Sequence, residues 1–167
     1  MQLLTATEID RKITRLAMEI LERNTEEKEL YLVGINNRGM ELARRLTAGL
    51  RLLSSAPLHL WNLRISPADP LSAPPELDHD VRALDGKPIL LVDDVANTGR
   101  TLFYALGAFQ HILPSKIEVA VLVDRRHKNW PIYVTYSGMA LSTTLGDDVL
   151  IQFGESGESE AILRSKE

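Results

Sequence analysis

The run Ile89-Leu-Leu-Val-Asp93-Asp94-Val-Ala-Asn-Thr98-Gly99-Arg-Thr101 constrains this chain more than any other segment. Four apolar residues lead into two adjacent carboxylates, then a turn of small residues, then a second apolar-periodic stretch from Leu102. That order spells a buried strand, a polar loop and a helix start. Paired acids at a strand's C-terminal end suit a ribose, because carboxylates accept hydrogen bonds from both hydroxyls of a cis-diol. Thr98, Gly99 and Thr101, with the free backbone N–H groups of the following helix, suit a phosphate. The plainer reading is a strand that ends in acidic loop residues, with Thr98 as a helix cap. Two adjacent acids followed by Thr-Gly-Arg-Thr favour the phosphorylated sugar.

Composition narrows the class. At 167 residues the chain is long enough for one domain with a sizeable core. Its net charge of −4 gives no global attraction to nucleic acid or to an anionic membrane, although a local basic patch stays open. The absence of cysteine excludes disulfides, thiolate nucleophiles and cysteine-ligated zinc. No apolar run approaches the ~18 residues of a membrane span, and the N-terminus lacks a signal-peptide core. The expected location is the cytoplasm.

Strands and helices alternate along the chain. Thr7-Glu-Ile-Asp10 is expected to begin a helix that runs to about Asn24, with Ile9, Ile13, Leu16, Ile20 and Leu21 at helical spacing. Leu30–Ile35 reads as a strand covered on both faces, Asn36–Gly39 as a turn, and Met40–Leu53 as a helix. Leu58–Leu63 is an expected strand. Residues 64–82 hold four of the eight prolines and read as a long mobile loop. Strand Ile89–Val92, helix Leu102–Leu113 and strand Lys116–Val123 follow. Ile132–Thr135 and Val149–Phe153 are weaker strand candidates, and residues 154–167 read as a frayed polar tail. The pattern predicts a single α/β domain, a mostly parallel sheet with helices on both faces. Ligands then sit beyond the carboxyl ends of the strands, where segments 36–39, 93–101 and 124–128 can converge.

The double-acid run resembles the phosphoribosyl-pyrophosphate (PRPP) signature of the type I phosphoribosyltransferase family: apolar strand, acid pair, small residues, Thr-Gly, Thr. Further matches run in family order. They are Thr14-Arg15-Leu-Ala near Glu22-Arg-Asn24, Val33-Gly-Ile with Arg38-Gly39, and Val121-Leu-Val-Asp-Arg with His127 and Pro131-Ile. Together they are most similar to the branch of bifunctional pyrimidine operon regulators and uracil phosphoribosyltransferases. The resemblance implies the type I fold, with a small hood and a mobile loop, and assemblies of dimers or larger. It implies that Asp93 and Asp94 hold the ribose hydroxyls, and that Ala96, Asn97, Thr98, Gly99, Arg100 and Thr101 take the 5′-phosphate. Asn37, Arg38 and Gly39 would contact pyrophosphate. Segment 124–132, with Asp124, Arg125, His127 and Ile132, would form the hood over the base. A Mg²⁺ ion would bridge pyrophosphate and ribose near the two acids. The implied reaction joins a uracil ring nitrogen to the anomeric carbon and expels pyrophosphate, by positioning and electrostatics rather than a covalent nucleophile.

Two departures bear on activity. Residues 65–81, where the family closes a loop over PRPP, contain Asp69, Glu76, Asp78 and Asp80 and no lysine or arginine. Arg64 at the loop's base is the nearest cation and the expected catalytic support. Asn36 stands where relatives often carry lysine. The expectation is a PRPP site with slow or altered transfer. A second class stays open: a regulator that senses PRPP or a nucleoside monophosphate and acts through RNA. Against RNA weigh Met18 and the stretch Leu145-Gly-Asp147-Asp148, where basic residues would serve better. Arg11, Lys12 and Arg15 read as a solvated helix face.

Overall fold

The computed structural model describes residues 1–143, 146–155 and 158–165, so Leu145 lies outside the described residues. A short strand, β1 (Gln2–Leu4), leads into helix α1 (Ala6–Arg23). The start signal is Thr5, not Thr7. The Thr5 hydroxyl accepts the Glu8 N–H while the Glu8 carboxylate accepts the Thr5 N–H at 2.8 Å. This reciprocal cap needs a glutamate three residues on, and the longer Glu8 side chain reaches back where Asp10 would not. Ile9, Ile13, Leu16, Ala17 and Ile20 form the buried stripe of α1.

Strand β2 (Leu30–Ile35) is buried along its whole length. Helix α2 (Asn36–Leu53) starts at once, so residues 36–39 are its first turn rather than a separate loop. Asn36 makes this abrupt junction with φ of 51°, a left-handed conformation that asparagine tolerates. Strand β3 (Leu58–Arg64) follows. The segment read as loop 64–82 is partly ordered, because it returns as strand β4 (Glu76–Leu77) and a 3-10 turn at Val81–Leu84. Strand β5 (Pro88–Ala96) is longer than expected and carries Asp93 and Asp94 within it. Helix α3 (Arg100–Ala105) is shorter than expected and passes into a 3-10 turn at Leu106–Phe109, where Gly107 weakens helical continuation.

Strand β6 (Lys116–Arg125) is followed by β7 (Tyr136–Leu141), β8 (Asp147–Gln152) and β9 (Glu160–Ser165). Ile132–Thr135 is not a strand. Ile132 and Val134 pack into the core beside Leu102 and Phe109 instead of pairing, and β7 begins one residue later. Nor is the tail frayed throughout, because β9 pairs with both β8 and β1. Its apolar stretch is too short to stand out alone, and one of its two partners, β1, lies at the other end of the chain.

The main sheet has the order β4-β3-β2-β5-β6-β7. Every neighbouring pair is parallel except β3 with β4. Helices α1 and α2 cover one face and share a core with the small antiparallel sheet β1-β9-β8. Helix α3 and the 3-10 turns cover the other face. Because β2, β5 and β6 are parallel, their carboxyl ends meet at one edge.

Close approach of α2 to the sheet depends on two glycines. A Cβ on Gly34 would lie 2.5 Å from the Met40 Cα, and one on Gly39 would lie 2.6 Å from the Val92 carbonyl oxygen. Both obstacles are backbone, which cannot move aside as a side chain can. Gly39→Ala should therefore push α2 off β5. The expected cost is about 1–3 kcal/mol or more, read as a lower urea midpoint at unchanged m value.

Candidate active site

Two adjoining cavities, of about 580 Å³ and 540 Å³, open at the carboxyl edge of β2, β5 and β6. The first is lined by Asn36, Asn37 and Arg38 from the start of α2, by Arg64 at the end of β3, and by Asp93 and Asp94. The second is lined by Thr98, Gly99, Arg100 and Thr101, with Arg125, Asn129 and Trp130 opposite. Pro67, Asp93, Val95, Asn97, Thr101 and Asp148 border both, so the two form one cleft. Parallel α/β sheets place ligands in this position.

The acid pair dominates the cleft's electrostatics. Asp93 and Asp94 are only 9% and 8% exposed. The Asp93 carboxylate accepts the Asp94 N–H at 2.9 Å. Burial pushes the Asp93 carboxyl well above the usual range, and the neighbouring Asp94 charge pushes the same way. Burial also raises Asp94, opposed by its contact with Asp93 and by the charge of Arg38. Among the described residues Asp94 Oδ2 has no hydrogen-bond partner. A buried unpaired carboxylate oxygen is costly, and the residue that carries it lines the first cavity.

Local geometry explains the turn. Gly99 has φ of 86°, where a side chain would be strained, and a Cβ there would also crowd Ile132 at 3.2 Å. Gly99 precedes α3, so Thr98 is not its cap; the Thr98 hydroxyl accepts the Arg100 N–H at 3.4 Å. The Thr98 carbonyl accepts the Asn129 and Trp130 N–H groups at 2.9 and 3.1 Å, which fastens the segment after β6 onto the turn. The Arg100 guanidinium donates to the Pro67 carbonyl at 2.6 Å.

Arg125 joins the two sides of the second cavity, donating to Asn97 Oδ1 at 3.1 Å and to the Thr143 hydroxyl at 2.8 Å. Other expected residues lie elsewhere. Gly39 is buried beneath the cleft against β5, as a packing residue. Asp124 is paired with the Lys128 ammonium, which also donates to the Arg125 carbonyl. His127 is exposed and borders neither cavity. Ile132 backs the turn from behind Gly99.

The expected hood segment 124–132 borders the second cavity through Arg125, Asn129 and Trp130, and the separate sheet β1-β9-β8 borders the first through Asp148, Val149 and Leu150. Asn129 and Trp130 fall within the expected hood segment, whereas Pro67 and Asp148 border the cleft without having been expected there. Only the paired apolar and acidic character of Asp148-Val149 hinted at a strand start, and nothing local tied it to Asp93.

Among the described residues no group of three or more histidine, aspartate or glutamate side chains is gathered to hold a metal ion. Two adjacent carboxylates with one unpaired oxygen fit an ion that arrives with substrate oxygens, the usual habit of Mg²⁺.

Residues 1–141 match the phosphoribosyl transferase domain family. A pyrimidine operon regulatory protein from Lactococcus lactis is 36% identical over 162 residues, covering 94% of this chain and 92% of its own. A bifunctional protein PyrR from Enterococcus faecalis is 33% identical over 171 residues, covering 99% and 96%. Among solved structures, the hypoxanthine phosphoribosyltransferase of Trypanosoma cruzi has a TM-score of 0.76 at 17% identity, covering 99% of this chain and 97% of its own. That likeness concerns the fold.

The acid pair sets a pH dependence. A carboxyl raised on folding binds its proton more tightly in the native state, so it costs stability as pH rises from the unfolded carboxylate range through the raised native value. Asp93→Asn removes this cost and keeps an oxygen for the Asp94 N–H. Urea titrations should show the variant gaining stability over wild type, with the gain growing from acid to neutral pH. A gain that is flat with pH would contradict the assignment.

Proposed function

The chain belongs to the phosphoribosyltransferase family, and from that premise we propose that it transfers the phosphoribosyl group of PRPP to uracil and releases pyrophosphate. The observation that carries this reading is the buried acid pair in one cleft with a phosphate-type turn: Asp93 borders both cavities, Asp94 the first and the Thr98–Gly99 turn the second. Asp93 and Asp94 hold the ribose 2′- and 3′-hydroxyls. Thr98, Thr101 and the amides of the turn take the 5′-phosphate. Asn37 and Arg38, at the positive end of α2, take pyrophosphate, with Arg64 across the same cavity. Asp93 and Asp94 are the residues that would hold Mg²⁺ brought in with PRPP, and the ion supplies positive charge to the leaving group.

In the reaction the bond from the anomeric carbon to pyrophosphate breaks, the bond to a uracil ring nitrogen forms, and the proton of that nitrogen is lost to the released pyrophosphate or to solvent. Positive charge develops at the carbon and negative charge on the leaving oxygen. Arg38 and Arg64 stabilise the second, and the buried carboxylates favour the first. The Asn129–Trp130 backbone, hung from Thr98, bounds the place left for the base. Residues 65–81 bring no lysine or arginine, so leaving-group support rests on Arg38 and Arg64, and transfer is slow.

The relatives' name, pyrimidine operon regulatory protein, favours a second reading: a PRPP or nucleotide sensor that acts through RNA. Against it stand the basic side chains of α1. Lys12 and Arg15 both donate to the Gly138 carbonyl, at 3.2 and 2.8 Å, and so fasten α1 to β7.

Calorimetry with PRPP and Mg²⁺ tests the site. Asp94→Asn and Thr98→Val should each lose about 1–3 kcal/mol, roughly 10- to 100-fold in affinity. Unchanged affinity in both variants sinks the assignment. Pyrophosphate release across uracil, guanine, hypoxanthine, adenine and orotate should be fastest with uracil. Binding of PRPP without turnover of any base would put the sensor reading first. A filter titration with pyrimidine-leader RNA at physiological salt should then show sequence-dependent retention, which the enzyme reading does not expect.

A further inference from the structure

The loop after β3 borders a cleft meant for a highly anionic ligand, yet residues 65–81 contain no cation. What holds this segment over the cleft comes from outside it. Asn36 holds its first residue by a two-way bond. The Asn36 side-chain amide donates to the Ile65 carbonyl at 2.9 Å, and its oxygen accepts the Ile65 N–H at 3.0 Å. Two residues on, the Arg100 guanidinium grips the Pro67 carbonyl at 2.6 Å.

At the far end β4 pairs with β3, placing Leu77 opposite Leu63 and Glu76 opposite Arg64. Asp78 adds a two-way bond with Asn62, at 3.0 and 3.1 Å, and the His79 ring stacks on Trp61 at 4.6 Å. Between these fastenings lies 68–75, held by short-range bonds among Ser66, Asp69 and Ser72 and carrying Leu71 at 78% exposure.

We propose that Arg100 is a positioning residue: it clamps Pro67 as the shared roof of both cavities and confines loop motion to residues 68–75. This rests on the phosphoribosyl-transfer reading and deepens it. Arg100 stands one residue past Gly99, at the start of α3, so its backbone belongs to the phosphate turn while its side chain belongs to the loop. A charged guanidinium donating to a carbonyl is among the stronger hydrogen bonds, and this one crosses from the 5′-phosphate side of the cleft to the loop root. The clamp lets an acidic loop stay over the cleft without its own cation. It also links occupation of the turn to the position of the roof. Pro70, Pro74 and Pro75 stiffen the short free span, so ordering it on closure costs little chain entropy.

Hydrogen exchange on the full chain tests the clamp, read in wild type, R100A and R100K at the amides of Ile65 and Asp69, which donate to Asn36 Oδ1 and Ser66 Oγ. In R100A these amides should exchange severalfold faster or more, while those of β5 and β6 keep their wild-type protection. R100K keeps a cationic donor and should restore part of the protection. With PRPP and Mg²⁺, R100A should raise KM for PRPP more than it lowers kcat. Wild-type protection at Ile65 and Asp69 in R100A overturns the proposal. So does a raised KM with unchanged exchange, which is what a simple phosphate ligand would give. Loss of protection in β5 alongside the loop also overturns it, by showing a general structural role. Failure of the wild type to bind PRPP in calorimetry would defeat the functional reading instead, and the exchange comparison would still decide the clamp.

Discussion

Two carboxylates are buried side by side at the end of a central strand, and much of the architecture answers to that placement. Each charge taken from water costs several kcal/mol unless something pairs with it. The protein supplies part of the compensation through the Asp94 N–H on Asp93 and the nearby charge of Arg38. It leaves Asp94 Oδ2 for something else among the described residues. A site kept partly unsatisfied binds a matching ligand with free energy that the empty protein has not already used.

That requirement propagates outward. Arg38 reaches the acids only because α2 begins directly at the end of β2 and lies tight on β5. Asn36 makes the sharp junction, and Gly34 and Gly39 allow the contact. Asn36 then serves a second purpose by holding Ile65, so the same residue that starts α2 fixes the root of the loop across the cleft. Where the family resemblance led to the expectation of a lysine, this chain has an anchor in place of a cation. The loss of charge and the gain of a fastening are one exchange.

The centre of the fold was legible in the sequence for a physical reason. Strands β2, β5 and β6 are covered on both faces and therefore read as continuous apolar runs, and the acids and the Thr-Gly turn mark where β5 ends its work. Boundaries were less legible. Asp93 and Asp94 look like loop residues because strands seldom carry buried acids, yet β5 runs on to Ala96. Of the small sheet only β8 was legible, expected at Val149–Phe153 and found at Asp147–Gln152. Strand β1 has three residues and depends on β9, which lies at the other end of the chain, and neither has a pattern strong enough to declare itself. Asp148 was read as a surface position lost to RNA, whereas β8 turns it toward the cleft. Gly39 was legible as necessary, and the structure adds a packing reason, since a Cβ there would strike the Val92 carbonyl oxygen.

The placement of cations completes the argument. In a chain of net charge −4, many basic side chains act as internal fasteners. Lys12 and Arg15 hold β7 through the Gly138 carbonyl. Arg45 ties α2 to the turn after β8, donating to the Gly154 carbonyl at 3.0 Å and lying over the Phe153 ring. Lys128 ties the segment after β6 to the end of β5 through the Ala96 carbonyl at 3.4 Å. Each such contact removes a donor from competition for a polyanion at the surface. Arg38 and Arg64 border the first cavity, and Arg100 and Arg125 the second. Positive charge is thus spread along one cleft, beside two buried acids that favour sugar hydroxyls. A compact anion carrying a ribose matches that pairing of charges.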